Sequence, residues 1–404
     1  MFAKKFYKFV RQQQSIIMKI LIVPMSAIAE TAGPVSRCRR IAVALNKAGA
    51  SVATCMAEDV NYKPIDGIHN YFLDIPMPFG LPKFIASRTF PIAQKLGITS
   101  RKTVASFDDV LRITGNTDYN YLKKSVQSIR NAIQDFKPDA VYSEFNISAF
   151  IAAKIEGIKI YATVSYPAQY TYAHNHGYAK GLNRLLQEFS IDKVDSALQL
   201  FDWADKAFCP SIKDLEPIDK DNVTFIGALK TASPRTCARN KILVYMGNGT
   251  ISASKTLKVV SRAFSGGEYD VYIASKYLKP NDSGNIHIAP RWDFDTMLPE
   301  AACFVNHGGQ NSICDGLLYG VPQIVVPGKV FERKYNAKSL TDNGAGVSLD
   351  HSDFDADSLR AAFESLIHNP ETMQNALALG KKLASAGGIN LLTDSILGSP
   401  TLPH

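Results

Sequence analysis

Long apolar runs are absent from this 404-residue sequence. The longest, such as KILIVPM at 19–25 and QIVVPG at 323–328, have the length of strands, whereas a membrane-spanning helix needs roughly 20 apolar residues. Paired cysteines are absent as well, because the six cysteines stand singly and no C-x-x-C occurs. This pattern disfavours a disulfide framework or a zinc site and predicts buried free thiols in a reducing cytosol. We therefore expect a cytoplasmic protein.

The first 18 residues lack the uninterrupted apolar segment and the small-residue cleavage site of a signal peptide. They combine aromatic and basic residues, namely Phe2, Phe6, Phe9, Lys4, Lys5, Lys8 and Arg11. Two interpretations stay open. The segment forms a short basic amphipathic helix that makes a peripheral membrane contact through residues 1–18, or it is an extension before a second possible start at Met18.

The composition is that of a soluble globular protein, with 46% hydrophobic and 20% charged residues. The chain is longer than a single hydrophobic core usually supports, so two domains of roughly 200 residues each are expected. The net charge of +8 is compatible with nucleic acid, an anionic membrane or a phosphate-bearing substrate, and by itself it does not choose among them.

From residue 19 onward, short apolar strands alternate with helical stretches, expected near 34–48, 181–205, 252–264, 311–319 and 335–342. A β-α-β order predicts mostly parallel sheets covered by helices on both faces. The predicted fold class is therefore α/β, with two doubly wound Rossmann-like domains that face a central cleft. The predicted units are an N-terminal extension at 1–18, an N-terminal domain at 19–230, a linker at 231–240, a C-terminal domain at 241–385 and a final segment at 386–404 that packs back on the N-terminal domain.

The segment FVNHGGQNSICDGLLYGVP, residues 304–322, places a polar turn between a predicted strand and a predicted helix. At the carboxyl end of a parallel strand, Gly308 and Gly309 leave the N–H groups of the following helix open to a bulky anion. The helix N-terminus adds a favourable partial positive charge, and His307 can donate a ring N–H to a phosphate oxygen. The turn is therefore predicted to hold phosphate.

The first turns of the same predicted helix carry further polar residues. Asn311 and Ser312 add hydrogen-bonding groups beside the expected phosphate. Asp315 follows Asn311 by four residues and lies on the same helix face, where its carboxylate can accept both hydroxyls of a ribose. The alternative is a tight glycine turn with Ser312 as a helix cap, which leaves the other polar residues unexplained.

The sequence FVNHGGQNSICDGLLYGVPQIVVPG, followed by ERKYNA, resembles the nucleotide-sugar signature of GT-B fold glycosyltransferases, specifically the family 1 UDP-glycosyltransferases, with kinship to MurG-like enzymes. The resemblance is strong over residues 241–349 and weaker over 19–230. It implies that the His-Gly-Gly turn holds the donor diphosphate and that Asp315 binds the ribose. No cofactor is implied beyond the nucleotide-sugar donor itself.

Two further segments match donor-binding positions of that family. The loop MGNGT at 246–250 matches its Gly-Ser/Thr loop, so Gly247, Asn248 and Thr250 are expected at the diphosphate. Glu332 and Arg333 match the acidic-Gln pair that grips the sugar hydroxyls, with a cation in place of the amide. Arg333 can favour an acidic sugar such as a uronic acid, or it pairs with Glu332 or contacts the diphosphate.

The base-binding region departs from the family pattern, because only Arg291 and Trp292 fall near its Trp-x-Pro-Gln run. Either side chain can stack on a uracil, and Trp292 can equally be a buried packing residue. The DFD at 293–295 resembles the metal-binding DxD of the other glycosyltransferase fold, but it precedes a helix in the wrong architecture. We predict no required metal.

Inverting transfer needs a base for the acceptor proton, and the family supplies a histidine in a pattern such as Gly-His-x-x-Arg after the first strand. Here ETAGPVSRCRR puts Gly33 on the glycine and Pro34 on the histidine, so the expected base is absent. Glu30, in the same loop, is the first candidate, since desolvation raises a glutamate pKa toward neutrality. The weaker candidates, for each of which a surface role is the alternative, are Asp108, Asp109, Glu144, His174 and His176. A third possibility is an acceptor that needs little help, such as a carboxylate or an acidic phenol.

Together these features predict an inverting, metal-independent glycosyltransferase that moves a sugar from a UDP- or dTDP-type donor to a small apolar or amphipathic acceptor, such as an aromatic or lipid-like molecule. The Pro-, Phe- and Tyr-rich loops at 75–91 and 161–178 can wall the acceptor pocket, or they are ordinary packing. Two alternatives stay open: a nucleotide-sugar epimerase or hydrolase, and a degenerate nucleotide-sugar-binding partner protein, which Pro34 favours. No nucleic-acid partner is expected.

Overall fold

The computed structural model describes residues 17–27, 32–58, 62–81, 103–232, 238–247 and 251–398. Within these ranges, no helix combines the length and apolar character that crossing a membrane requires. Five cysteines, which are Cys38, Cys55, Cys209, Cys303 and Cys314, are free and buried.

The amino-terminal half is built on a seven-stranded parallel sheet with the order β3-β2-β1-β4-β5-β6-β7. Its strands are β1 Lys19–Pro24, β2 Ser51–Met56, β3 His69–Phe72, β4 Ala140–Glu144, β5 Lys159–Thr163, β6 Lys206–Cys209 and β7 Val223–Phe225. Its helices are α1 Ala32–Lys47, α2 Phe107–Ile113, α3 Tyr119–Phe136, α4 Ile147–Glu156 and α5 Lys180–Glu188. β4 is buried at every residue, as expected of a central parallel strand covered on both faces.

The carboxyl-terminal half repeats this design with the strand order β10-β11-β9-β8-β12-β13-β14, in which only the edge hairpin β10–β11 is antiparallel among the described strand pairs. Its strands are β8 Lys241–Tyr245, β9 Asp270–Ala274, β10 Asn281–Ser283, β11 Ile286–Ala289, β12 Ala301–Asn306, β13 Gln323–Val325 and β14 Gly346–Ser348. Its helices are α6 Ala253–Phe264, α7 Phe294–Met297, α8 Gln310–Leu318, α9 Phe331–Asp342, α10 Ala356–Ile367, α11 Pro370–Ser385 and α12 Gly388–Leu397. The predicted architecture of two Rossmann-like domains is confirmed.

One predicted element is wrong in its extent. A single helix was expected over 181–205, but α5 ends at Glu188 and a separate 3-10 helix spans Ala197–Trp203. Ser190 takes a left-handed backbone conformation with φ 56°, which interrupts the first helix. Ser196 then starts the second through a capping box with Gln199.

The two halves touch through backbone and side-chain contacts that border the site described below. Val104 donates its N–H to the Lys329 carbonyl at 3.0 Å and accepts from Phe331 N–H at 2.9 Å. The hydroxyl of Tyr335 donates to the Leu215 carbonyl at 2.8 Å. The last helix, α12, contributes buried side chains to the core beneath β1 and α1. The contacts of Phe331 and Tyr335 thus hold the start of α9 against the amino-terminal half.

Candidate functional site

The turn between β12 and α8 is held in one conformation by buried amides. Gly308 has φ 82°, and a Cβ at this position would lie 2.9 Å from the Arg333 carbonyl oxygen, so only glycine fits. The Asn306 side-chain oxygen accepts from Gly308 N–H at 2.8 Å, and Asn336 donates to the Gly308 carbonyl at 2.8 Å. Sequence reasoning missed Asn306 and Asn336, although Asn306 directly precedes the predicted turn.

The helix that follows starts without a side-chain cap. Gly309 is the N-cap residue of α8 and makes no capping hydrogen bond, so the predicted alternative of a Ser312 cap is wrong. Ser312 is buried in the first turn, while Asn311 is exposed. The first N–H groups of an α-helix have no partner within the helix, and an uncapped start offers them to an anion.

His307 lies between two glycine-bearing loops. A Cβ on Gly247 would come within 3.1 Å of its ring, and one on Gly309 within 2.7 Å of Nε2. Its Nδ1 lies 3.4 Å from the Tyr245 carbonyl, which can only accept, so the proton of the neutral ring belongs on Nδ1. Burial and the nearby Arg333 lower the pKa of His307 to about 3. In this geometry Nε2 has no proton, so donation to a phosphate requires the ring to turn or to gain one.

Asp315, the residue predicted to bind the ribose, forms an ion pair with a lysine. Lys230 forms an ion pair with it at 3.0 Å and a second ion pair with Asp295. Burial raises the pKa of Asp315, and Lys230 opposes that rise. A cavity of about 60 Å³ lies between the two halves and is lined by Asp315, Lys230 and further residues, including Arg37, Arg40 and Asn311. A ribose that approaches this carboxylate therefore meets a Lys230 ammonium group that is already bound to one of its oxygens.

Glu332 and Arg333 lie in the first turn of α9, next to the glycine turn. The Arg333 guanidinium makes no hydrogen bond or ion pair with any residue of the described ranges, so it does not pair with Glu332. Burial lowers its pKa, and Glu332 partly offsets this. Since Arg333 also lowers the pKa of His307, the two side chains are close enough to interact.

Trp292 is engaged in packing. Its Nε1–H donates to the Ile273 carbonyl at 3.1 Å, and its ring meets Tyr272 edge-on at 5.2 Å. Arg291 is exposed beside it. Asp293 caps α7. Across the described ranges, no group of three His, Cys, Asp or Glu side chains is arranged to hold a metal ion.

Several predicted residues of the site lie outside the described residues, namely Glu30, Asn248 and Thr250. Gly33 and Pro34 fall at the start of α1. Gly247 is described and contacts the ring of His307.

Glu144 ends β4 and is completely buried. Its Oε1 accepts from Arg37 Nε at 2.6 Å, and its Oε2 accepts from the Thr163 hydroxyl. The next residue, Phe145, adopts φ 60°, a strained conformation for a non-glycine residue, and its ring lies 5.7 Å from the Arg37 guanidinium. Glu144 is therefore the partner of a buried arginine, with both oxygens occupied.

The remaining candidates for the base serve local contacts. Asp109 accepts from Ala105 N–H at 2.7 Å, and Asp108 accepts from Asn175 N–H at 2.8 Å. His174 stacks on Tyr170 at 4.0 Å, with its Nε2 lying 3.0 Å from the Nε2 of His176.

Two buried residues of this interface were missed by sequence reasoning. Arg37 reaches Asn311 Oδ1 at 3.3 Å across the cleft, and it occupies the arginine of the Gly-His-x-x-Arg pattern, a signal that could have identified it. Glu216 accepts from Tyr166 N–H at 2.6 Å and from the Gln310 side chain. Burial raises the pKa of Glu216 to about 7. No local sequence pattern marks Glu216.

The fold has solved counterparts. The chain superposes on the crystal structure of CalG4, the calicheamicin glycosyltransferase, with a TM-score of 0.72 at 16% identity, covering 96% of this chain and 100% of that one. The fold is GT-B. In this GT-B chain, residues 279–388 match the family described as the C-terminal domain of erythromycin biosynthesis protein CIII-like proteins.

Sequence relatives agree with the fold. The GT-B chain is 33% identical over 100 residues to the NDP-glycosyltransferase YjiC of Bacillus licheniformis, which is 25% of each chain. It is 25% identical over 175 residues to UDP-glucuronosyltransferase 1A3 of Rattus norvegicus, covering 39% of this chain and 33% of the relative. The matches thus span a third or less of the length of these relatives. The predicted resemblance to family 1-like GT-B glycosyltransferases is confirmed.

Proposed function

We propose that this protein transfers a sugar from a nucleotide diphosphate to an acceptor. The observation that carries the proposal is the uncapped start of α8 behind the glycine turn. Such a helix start binds a diphosphate through its N–H groups and its partial positive charge, and it lies at the carboxyl edge of a parallel sheet, where ligands of this fold class bind.

The donor is proposed to be a UDP- or dTDP-type sugar. The names of the relatives, an NDP-glycosyltransferase and a UDP-glucuronosyltransferase, support a nucleoside diphosphate. Asp315 accepts the ribose hydroxyls after Lys230 is displaced, and Glu332 accepts sugar hydroxyls beside the turn. Arg291 and the loop of Gly247, Asn248 and Thr250 complete the predicted donor contacts, whereas the Nε1–H of Trp292 is already used by the Ile273 carbonyl.

The proposed reaction is an inverting displacement. The acceptor oxygen attacks the anomeric carbon while the bond from that carbon to the β-phosphate oxygen breaks, so that the nucleoside diphosphate leaves and the acceptor proton passes to a base. The α8 N-terminus stabilises the charge on the leaving diphosphate, which supports metal-independent transfer. Glu30 stays the proposed base, because both oxygens of Glu144 are occupied.

The acceptor is proposed to be a small aromatic or lipid-like molecule. Tyr166 and Tyr172 of the amino-terminal half and Tyr335 of α9 form an aromatic cluster that joins the two halves, with ring centroids 5.1–5.6 Å apart. Tyr172 is 36% exposed, so an apolar face of the cluster is open to a ligand. Aromatic surfaces of this kind bind flat or aliphatic molecules.

A second candidate function is a nucleotide-sugar-binding partner without transferase activity. Pro34 at the histidine position and the engagement of Glu144 by Arg37 favour it. It shares the donor site with the first candidate and differs only in the absence of turnover.

Incubation with UDP- and dTDP-sugars, alone and with a panel of phenols, carboxylates and amphipathic alcohols, separates these functions. A transferase releases nucleoside diphosphate only with an acceptor, gives a product heavier by one sugar residue in mass spectrometry, and keeps its rate in EDTA. Release without an acceptor would identify a hydrolase. Tight binding without release would identify the binding partner.

A further inference from the structure

The amino-terminal half sends one buried cation into the donor site. Arg37 lies in α1, is 9% exposed, and its Nη1 donates to Asn311 Oδ1 at 3.3 Å. Asn311 belongs to the first turn of α8, so the Arg37 guanidinium lies beside the helix start that the proposed function assigns to the diphosphate. The two residues are 274 positions apart in sequence, which makes this a contact between the halves.

The Arg37 side chain is held in place by Glu144 on the side away from α8. Glu144 accepts from its Nε at 2.6 Å, and Thr163 donates to the other oxygen of that carboxylate. With both Glu144 oxygens occupied, the carboxylate has one orientation. The guanidinium is consequently aimed at α8 by its Nη groups, because the Nε–H points back to β4.

Most of the hydrogen-bonding capacity of Arg37 is unused. A guanidinium carries five N–H donors, and only those at Nε and Nη1 have partners among the residues the structure describes. The Nη2 group makes no hydrogen bond within those ranges. Burial opposes the charge of Arg37, but Glu144 and then Glu332 raise its pKa, so it stays a cation.

Arg37 lines the cavity of about 60 Å³ between the halves. Two more cations, Arg40 and Lys230, line the same space, and Asp315 is the one carboxylate among its described lining residues, already paired with Lys230. Asp295 and Asp315 pair with Lys230, and Glu144 pairs with Arg37 through Nε, so Arg40 and the Nη groups of Arg37 are the cationic groups left to meet an anion in this space. The cavity is too small for a nucleotide, so a donor bound here requires the lining side chains or the two halves to move apart.

We propose that Arg37 is the ligand that the amino-terminal half contributes to the donor diphosphate, and that Glu144 is the positioning residue that aims it. This inference rests on the proposed function. When the cleft closes on the donor, the Arg37–Asn311 hydrogen bond is exchanged for bidentate contacts to phosphate oxygens, the geometry that a guanidinium favours. Donor binding and cleft closure are thereby coupled through one side chain.

The test compares UDP with uridine, and TDP with thymidine, by titration calorimetry on the full chain. The variant is Arg37→Met combined with Glu144→Gln, because removing Arg37 alone leaves a buried carboxylate without its partner. We expect the diphosphates to bind roughly tenfold more weakly, or worse, and the nucleosides to bind as before. Lys47→Met, which removes one positive charge from the exposed far end of α1, should leave both affinities unchanged.

The affinity ratio of diphosphate to nucleoside separates binding from structural roles. If Arg37 only holds the halves together, both ligands weaken in parallel and the ratio stays constant, which overturns the inference. The single variant Glu144→Gln should lower the ratio less than the double variant does. If the unaltered protein binds neither UDP nor TDP, the proposed function itself fails, a result distinct from an unchanged ratio.

Discussion

The two halves share one architecture and treat their cleft-facing strand ends in opposite ways. In the carboxyl-terminal half, Gly308 and Gly309 leave the start of α8 uncapped. In the amino-terminal half, Arg37 at α1 and Glu144 at the end of β4 bind each other. Backbone N–H groups are thus left open for a ligand on one side, whereas on the other side the carboxylate at the strand end is bound within the protein.

This difference suits our proposal that separate groups serve donor binding and proton transfer. A helix N-terminus binds a diphosphate mainly through its backbone N–H groups and its dipole. A glycine turn keeps these groups accessible, and this does not depend on side chains elsewhere in the protein. Proton removal depends on one side chain with a suitable pKa, so a single substitution of that residue is enough to abolish it. The amino-terminal strand ends can therefore change without disturbing the glycine turn.

The largest effect is expected from a substitution that adds a side chain at the glycine turn, where the start of α8 is open to a ligand. Gly308→Ala places a Cβ 2.9 Å from the Arg333 carbonyl oxygen at φ 82°, so the turn must shift. A shift near 1 Å lowers turnover by about 100-fold, and diphosphate binding falls with it. UDP titration and initial rates measure both. Gly284→Ala is the matched control, because Gly284 has φ 59° but no atom within 4 Å of its Cβ position. Undiminished UDP binding by Gly308→Ala would contradict the phosphate assignment.

The glycine turn was predictable because its signals are local. A strand, a His-Gly-Gly sequence and a helix follow one another within twenty residues, and each carries its own pattern in the chain. The opposite side was not predictable in this way: Arg37 and Glu144 are 107 positions apart, and Glu216 and Gln310 are 94 apart. Nothing in the neighbouring sequence of Glu144 shows that an arginine occupies its carboxylate. The helix expected over 181–205 failed for another reason, since its apolar pattern continues through Ser190, where the backbone turns left-handed.

The second-largest effect concerns Asp315 and Lys230, the cation that competes with a ribose for its carboxylate. Asp315→Asn removes a charged acceptor for ribose hydroxyls, a change of about 1.5–3 kcal/mol, so UDP binds roughly tenfold or more weakly. The preference for UDP over 2′-deoxy-UDP should fall as well, because the lost contact is to the ribose. Lys230→Met should act in the opposite direction and tighten UDP binding, since it frees the carboxylate from its ion pair. Weaker UDP binding by Lys230→Met would show that Lys230 serves the donor instead of blocking Asp315.

The third effect is a pH dependence of stability from His307. Its pKa of about 3 in the folded protein lies below the unfolded value near 6.5, so the unfolded state binds more protons between these values. Stability is therefore full above about pH 6.5 and is lost as the pH falls toward 3, by about 1–2 kcal/mol at pH 5. His307→Gln should reduce this loss in urea unfolding at pH 7.5 and pH 5. His368→Gln, at a histidine with a 74% exposed side chain, serves as the control and should follow the parent protein.

The smallest effect should come from Arg333, where the carboxyl-terminal half itself departs from the family pattern. Its guanidinium has no ion pair within the described ranges and lies near His307, so an anionic group of the donor is its natural partner. Arg333→Gln restores the amide of the acidic-Gln pair. If Arg333 binds the carboxylate of an acidic sugar, the rate with UDP-glucuronic acid should fall about 3- to 10-fold relative to UDP-glucose, with UDP affinity unchanged. If it binds the diphosphate, UDP affinity falls and the sugar preference stays constant. Lys334→Gln, at the exposed neighbouring cation, controls for the loss of charge. The first outcome would mean that the carboxyl-terminal half selects the sugar as well as binding the diphosphate. The second would mean that its open groups bind only the phosphates.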